Sequence, residues 1–234
     1  MLTLPSKPRL LDLFSGAGGA AKGYQRAGFY VVGVDNRPQP RYCGEEFVLG
    51  DALEYVATHG REFDAIHASP PCQGYSYGTN YNHRARGRAE YPLLIGPTRH
   101  ALYELENVIG ARAAMGFTMT LCGTQFGLRV QRHRLFESSH LLMRPTSPCN
   151  HRPWDISVRR KRSEYLFVYD DVITTHGFAV RRPPSCRVAE AKQAMECGWM
   201  TSEEVGEAIP PQYTAFLGRQ LLVALRTAKD GQCA

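Results

Sequence analysis

Residues 9–27 constrain the fold more than any other part of this chain. An apolar run from Arg9 to Phe14 meets Ser15-Gly16-Ala17-Gly18-Gly19 without a spacer, and a helical stretch from about Ala20 to Ala27 follows at once. A strand that feeds a glycine turn and then a helix opens a parallel α/β sheet. Glycines let the backbone approach a ligand closely, and the first amides of the helix, lacking internal partners, suit a carboxylate or phosphate. Taken alone, the turn is also compatible with a purely structural bend.

The next strands narrow the choice. Tyr30 to Val34 is apolar and ends in Asp35-Asn36, which sets an acid at the strand tip where two hydrogen bonds can hold a ribose diol. Nucleotide and S-adenosylmethionine sites both need this. A short strand around Phe47 to Leu49 leads to Gly50-Asp51-Ala52, and Asp51 doubles as the expected N-cap of a helix over Ala52 to Ala57. Phe63 to Ala68 reads as a further buried strand, stopped by Pro70-Pro71, which lack two backbone donors. Cys72 therefore sits just past a sheet edge, outside the carboxyl end of a strand, where ligands bind in open α/β sheets.

After Cys72-Gln73 the chain runs through Gly74, Tyr75, Ser76, Tyr77, Gly78, Tyr81, Arg84, Arg86 and Arg88 with no regular pattern. A long loop of this kind is usually functional or disordered. Its arginines and tyrosines suit phosphate contacts and base stacking, and the plain alternative is a solvated charge run. The formal net charge of +6 agrees with a polyanionic partner without requiring one. Seven scattered cysteines and the absence of a signal peptide point to reduced thiols and a cytoplasmic setting. No apolar run reaches the roughly 20 residues that cross a bilayer.

A helix is expected near Tyr91-Pro92-Leu93. Between Pro97 and Glu106 there is too little chain for a full crossover helix and a full strand, so the strand before Glu106 is very short or the sheet is altered there. Phe117 to Leu121 and Leu135 to Ser138 read as strands, and Arg187 to Cys197, Ser202 to Glu207 and Tyr213 to Arg226 as helices. Residues 140–190 are rich in arginine, Arg160 and Arg162 among them. Cys149-Asn150-His151 with Cys186 and Cys197 fits no zinc spacing, so no metal is expected.

Five stretches occur in an order that resembles the C5-cytosine DNA methyltransferase family, in the small form found in phage and bacteria. They are Asp12-Leu13-Phe14-Ser15-Gly16-Ala17-Gly18-Gly19, Pro70-Pro71-Cys72-Gln73, Glu106-Asn107-Val108, Arg132-His133-Arg134-Leu135-Phe136 and Ala208-Ile209-Pro210-Pro211. The sequence departs from the family's pattern at Val130, where that pattern has a glutamine, and at Glu207, where it has an asparagine.

The resemblance implies a Rossmann-like S-adenosylmethionine-dependent methyltransferase sheet with a small appended lobe. Residues 1–139 would form the cofactor-binding and catalytic core, 140–190 a reduced target-recognition lobe, and 191–234 C-terminal helices returning to the core. It further implies Cys72 as nucleophile, with Glu106, Arg132 and Arg134 as catalytic partners. Phe14, Ser15, Gly16, Gly18, Gly19, Asp35, Asn36, Asp51, Ala52, Pro70, Glu207 and Ala208 would line S-adenosyl-L-methionine. Gln73, Ser76, Tyr77, Arg84, Arg86, Arg88, Arg160 and Arg162 would meet DNA. Arg132 and Arg134 are expected to favour the Cys72 thiolate. A tRNA substrate, or a silent binding protein, stays open beside the DNA reading; a nicotinamide oxidoreductase would leave Cys72 and Glu106 without a role.

Overall fold

The computed structural model describes residues 7–75, 92–99, 104–149, 174–175, 178–179 and 184–231. A seven-stranded sheet runs in the order β3-β2-β1-β4-β5-β7-β6. Its strands are β1 (Arg9–Leu13), β2 (Tyr30–Asp35), β3 (Glu46–Leu49), β4 (Ala65–Ala68), β5 (Glu104–Asn107), β6 (Thr118–Leu121) and β7 (Arg134–Ser138). The first five pair in parallel, while β7 runs antiparallel to both β5 and β6. The helices are α1 (Gly19–Ala27), α2 (Ala52–His59), α3 (Ile95–Arg99), α4 (Pro184–Met195), α5 (Ser202–Glu207) and α6 (Pro211–Gly231). A two-stranded ribbon, β8 (Thr174–Thr175) and β9 (Phe178–Ala179), stands apart from this sheet.

Both faces of the sheet are covered, which explains why its strands read as nearly continuous apolar runs. Leu10, Val31, Ala65, Leu121 and Phe136 pack under α1 and α6 with Tyr24, Tyr213, Leu217 and Leu221. Leu11, Leu13, Val32, Val34, Ile66, Leu105 and Leu135 pack on the other face with Ala52, Val56 and Ile95. Because side chains alternate along a strand, Asp12, His67 and Glu106 fall on the α1 side, and all three are buried.

Strand and helix ends differ from the sequence expectation in instructive ways. Phe14 leaves the first strand, taking a left-handed φ of 59° as the chain turns into the glycine loop. Phe63 ends a 3₁₀ turn over Gly60–Glu62, and Asp64 is tied to β1 through its N–H to the Arg9 carbonyl and its carboxylate to the Arg9 N–H, both 2.9 Å. Phe117 is exposed and lies outside β6, whereas Arg134 joins β7 and α4 starts three residues before Arg187. The helix expected near Pro92 is the five-residue α3, beginning at Ile95. The strand carrying Glu106 is indeed very short, with four residues and two registered pairs to β4.

The C-terminal helix packs on α1 so closely that only glycine fits at the contact. A Cβ on Gly23 would lie 2.0 Å from Thr214 Oγ1 and 2.1 Å from the Pro211 carbonyl oxygen. Thr214 Oγ1 also donates to the Ala20 carbonyl at 2.9 Å. Replacing Gly23 by alanine should destabilise the protein by about 1–3 kcal/mol, the usual range for forced overpacking. Thermal unfolding checks this, and an unchanged Tm would mean that α6 does not rest on α1 in this way.

Candidate active site

The strand order reverses between β1 and β4, and the crevice at the carboxyl ends of the strands opens there. The glycine loop leaves β1 at this edge. Gly16 N–H donates to Asp35 Oδ2 at 3.0 Å and Arg37 N–H to Asp35 Oδ1 at 3.0 Å, so the acid at the tip of β2 fixes the loop. A Cβ on Gly16 would meet nothing within 4 Å, which leaves the space beside it open. Gly18 is the left-handed N-cap of α1, with no side-chain cap, so the first helical amides are not capped by a side chain. The glycine at 19 serves packing instead, since a Cβ there would lie 2.7 Å from the Ile209 carbonyl oxygen and 3.2 Å from Ala208 Cβ. The Ser15 hydroxyl is buried without a hydrogen-bond partner among the described residues.

Around this loop, Asn36 is exposed and Ala52 is buried at the start of α2. Asp51 is the N-cap expected from the sequence, its Oδ1 accepting from Leu53 N–H at 2.8 Å and Glu54 N–H at 3.0 Å. The C-terminal segment closes the far side: Trp199 Nε1 donates to the Ala17 carbonyl at 2.9 Å, and Glu207 lies exposed one residue before Ala208.

Cys72 follows β4 on a loop that its neighbours hold in place. The buried Asn107 donates from Nδ2 to the Pro70 carbonyl at 2.9 Å, and Ser69 N–H bonds to the Leu13 carbonyl at 3.2 Å. Tyr75 N–H bonds back to the Cys72 carbonyl at 3.0 Å, and the buried Oε1 of Gln73 has no partner among the described residues.

The register of β7 brings the charged groups together. Glu106 lies opposite Phe136, so Arg134, two residues before Phe136, is its diagonal neighbour on the same face. Arg134 Nε stands 3.1 Å from Glu106 Oε1, and both side chains are largely withdrawn from solvent. That contact is an ion pair, and among the described residues Oε1 has no hydrogen-bond partner. Arg132 is buried too; its guanidinium donates to the Gly206 carbonyl, and its own carbonyl accepts from Tyr213 Oη at 2.6 Å. Burial, reinforced by the neighbouring Arg134 charge, lowers Arg132 to about 9.

These groups act on one another electrostatically. Burial pushes the Cys72 thiol up, Arg134 and Arg132 pull it down, and Glu106 opposes them. The arginines thus act in the direction expected from the sequence, but the net shift is upward, because the depth of the thiol outweighs them. Burial also raises Glu106, against the pull of Arg134, of a Ser69 hydrogen bond and of Arg132. Behind Ser69 stands His67, with Nε2 3.0 Å from Ser69 Oγ and Nδ1 3.1 Å from Tyr24 Oη. Burial drives this imidazole down to about 3, so it stays neutral. Donors and acceptors are satisfied if Tyr24 donates to Nδ1, Nε2–H to Ser69, and Ser69 to Glu106.

Sequence reasoning brought Cys72, Glu106, Arg132 and Arg134 to one site, and the structure does assemble them. It missed Asn107, His67 and Asp12, although Asn107 lay inside a recognised motif. Burial and the nearby Asp35 charge hold Asp12 well above the usual carboxylate range. Val130, where the resemblance called for glutamine, is fully buried in an apolar cluster with Leu128 and Met200. Ser76, Tyr77, Arg84, Arg86, Arg88, Arg160 and Arg162 lie outside the described residues.

A sheet in the order 3-2-1-4-5-7-6, with its seventh strand antiparallel and a glycine loop after its first, defines the fold of S-adenosylmethionine-dependent methyltransferases. Residues 9–108 match the family of C-5 cytosine-specific DNA methylases. The type II methyltransferase M.AgeI of Thalassovita gelatinovora is 26% identical over 164 residues, which is 55% of this chain and 38% of the relative. M1.HphI of Haemophilus parahaemolyticus is 29% identical over 118 residues, 42% of this chain and 32% of that one. The matched part therefore spans about a third of these relatives' length.

Among solved structures, the Entamoeba histolytica methyltransferase EhMeth superposes with a TM-score of 0.58 at 11% identity, covering 94% of this chain and 99% of that one. The S. pombe Dnmt2 methyltransferase gives a TM-score of 0.55 at 15% identity, with 94% and 99% covered. A putative DNA modification methyltransferase encoded within an E. coli prophage gives 0.53 at 15% identity, with 94% and 100% covered. At such identities the likeness is one of fold.

Because Glu106 opposes ionisation of Cys72, its replacement by glutamine should move the thiol's alkylation profile to lower pH. The rate of reaction with iodoacetamide across pH measures this. A shift to higher pH would contradict the arrangement of charges.

Proposed function

We propose that the protein is a DNA cytosine-C5 methyltransferase that uses S-adenosyl-L-methionine. The observation that carries the reading is the assembly of Cys72 with a buried Glu106–Arg134 pair at the carboxyl edge of the sheet, within a family match that includes Cys72 and Glu106. Open space beside Gly16, a buried Ser15 hydroxyl with no partner among the described residues and the side-chain-uncapped start of α1 support a cofactor at the glycine loop, with Asp35, Asn36, Asp51 and Ala52 proposed to line it. Phe14, Gly18, Pro70, Glu207 and Ala208 border the same loop in this reading. When bound, S-adenosylmethionine supplies an electrophilic methyl group on a sulfonium.

C5 of cytosine is a poor nucleophile because its electrons belong to the aromatic ring. Cys72 as thiolate adds to C6, and the C5–C6 π pair moves into an enamine with its nucleophilic carbon at C5. Negative charge builds toward N3, where Glu106 bearing a proton meets it. The raised pKa of Glu106 favours that proton, and once neutral the acid no longer opposes the thiolate. Arg134 holds the Glu106 carboxyl in place, and Ser69, backed by His67 and Tyr24, fixes it from the other side. After C5 is methylated, a base removes the C5 proton; that electron pair restores the C5–C6 double bond and expels Cys72 as thiolate. In duplex DNA the base must leave the stack to reach Cys72. Gln73, Ser76, Tyr77, Arg84, Arg86 and Arg88 after Cys72, with Arg160 and Arg162, are the residues proposed to hold the strand. The segments 140–190 and 191–234 are proposed as the recognition lobe and the returning helices.

Methyl-labelled cofactor should place label in cytosine-containing DNA and not in tRNA. Cys72→Ala should abolish it by at least about a thousandfold, and Glu106→Gln should reduce it by about 10²–10³-fold. Label confined to tRNA would replace the DNA reading, and cofactor binding without label in either polymer would leave a binding protein.

A further inference from the structure

A second cluster of reactive side chains lies outside this site, built by the β6–β7 hairpin. Leu121 of β6 pairs with Arg134 of β7, so Cys122, the next residue after β6, faces His133, the residue just before β7. Cys149 returns to the same point from the segment after β7. His133 Nε2 lies 3.3 Å from Cys149 Sγ, and the ligand atoms of Cys122, His133 and Cys149 all lie within 4.8 Å of one another. We propose that these three residues bind a zinc ion.

The donor set is the one zinc takes, thiolate and imidazole in a tetrahedral arrangement. With zinc–sulfur bonds of about 2.3 Å and zinc–nitrogen bonds of about 2.0–2.1 Å, tetrahedral ligand atoms stand roughly 3.5–3.8 Å apart. His133 Nε2 and Cys149 Sγ already stand near that spacing and no pair is farther apart than 4.8 Å, so seating the ion calls for side-chain adjustments of about 1 Å. Water completes the tetrahedron. The surroundings also orient the ligands: Thr124 Oγ1 lies 3.4 Å from Cys122 Sγ and 3.8 Å from Cys149 Sγ, so its single proton can be donated to either sulfur. Hydrogen bonds to a metal-bound sulfur are a usual outer layer of such sites. Cys149 itself is held near by Gln125, whose Nε2 donates to the Ser147 carbonyl at 3.3 Å.

The position gives the ion a task. His133 stands between Arg132 and Arg134, and Cys149 lies ten residues into the segment proposed for target recognition. Bound zinc would clip that segment to the end of β6 and brace the backbone that carries both arginines. Sequence spacing concealed the site, because ten residues separate Cys122 from His133 and fifteen separate His133 from Cys149. The register of one hairpin supplies the first proximity, which no short motif encodes.

The test measures metal without any substrate, so it stands apart from the methyl-transfer reading. The whole protein, prepared with zinc and passed into metal-free buffer, is assayed for metal by mass spectrometry. About one zinc per chain is expected. Cys149→Ser, at an exposed position, should weaken zinc affinity by at least about tenfold in competition with a chromogenic chelator. The cobalt-substituted protein should show tetrahedral visible bands with sulfur-to-cobalt charge transfer, diminished in Cys149→Ser and His133→Asn. The proposal is overturned if the protein retains no stoichiometric zinc, or if Cys149→Ser retains it undiminished. A mass lower by two hydrogens, with a Cys122–Cys149 crosslinked peptide, would likewise overturn it in favour of a disulfide.

Discussion

The buried contact between Arg134 and Glu106 is the interaction on which the rest of the site depends. It exists because β7 runs against β5, so its first residue reaches the edge where the parallel strands end. A parallel strand in that place would have carried its arginine to the opposite end of the sheet. Withdrawing a lone carboxylate from water is costly, and the facing guanidinium offsets part of that cost. The remainder surfaces as a carboxyl whose proton is held more tightly than usual. The charge chemistry of the site thus follows from strand direction and depth.

The C-terminal segment makes the same edge rigid. The tight α1–α6 contact at Gly23 and the Thr214 bond to Ala20 fix the helix that follows the glycine loop. Tyr213 reaches the Arg132 carbonyl and meets edge-to-face with Phe136, the residue opposite Glu106. One helix therefore touches both the helix that follows the loop proposed for the cofactor and the segment that carries Arg132 and Arg134. Buried groups with satisfied partners lose little freedom on binding, and such preorganisation is what electrostatic catalysis requires.

How much of this was legible in the sequence depended on distance along the chain. The strand, glycine loop and helix over residues 9–27, the acid at the tip of β2 and the cap at Asp51 are local features, written in neighbouring residues. Strand ends slipped at Phe14, Phe63 and Phe117, where an apolar side chain could not by itself signal a turn. The motifs carrying Cys72, Glu106 and the two arginines were visible, but the diagonal pairing of Glu106 with Arg134 was not, since it arises from the antiparallel register. The pull of the two arginines on Cys72 was legible for the same reason as the motifs, whereas the burial that outweighs it is a property of the whole fold. His67 looked like an ordinary strand residue and proves to be a neutral buried link toward Glu106 through Ser69.

The central claim is that Cys72 forms a bond to C6 of cytosine that is released only when the C5 proton leaves. A duplex bearing 5-fluorocytosine at the target base, incubated with the protein and S-adenosylmethionine, tests this on a denaturing gel, because fluorine at C5 cannot depart as a proton. The account predicts a protein–DNA adduct that survives denaturation, depends on Cys72, and maps to the Cys72 peptide. Methyl transfer to ordinary DNA with no such adduct would contradict it.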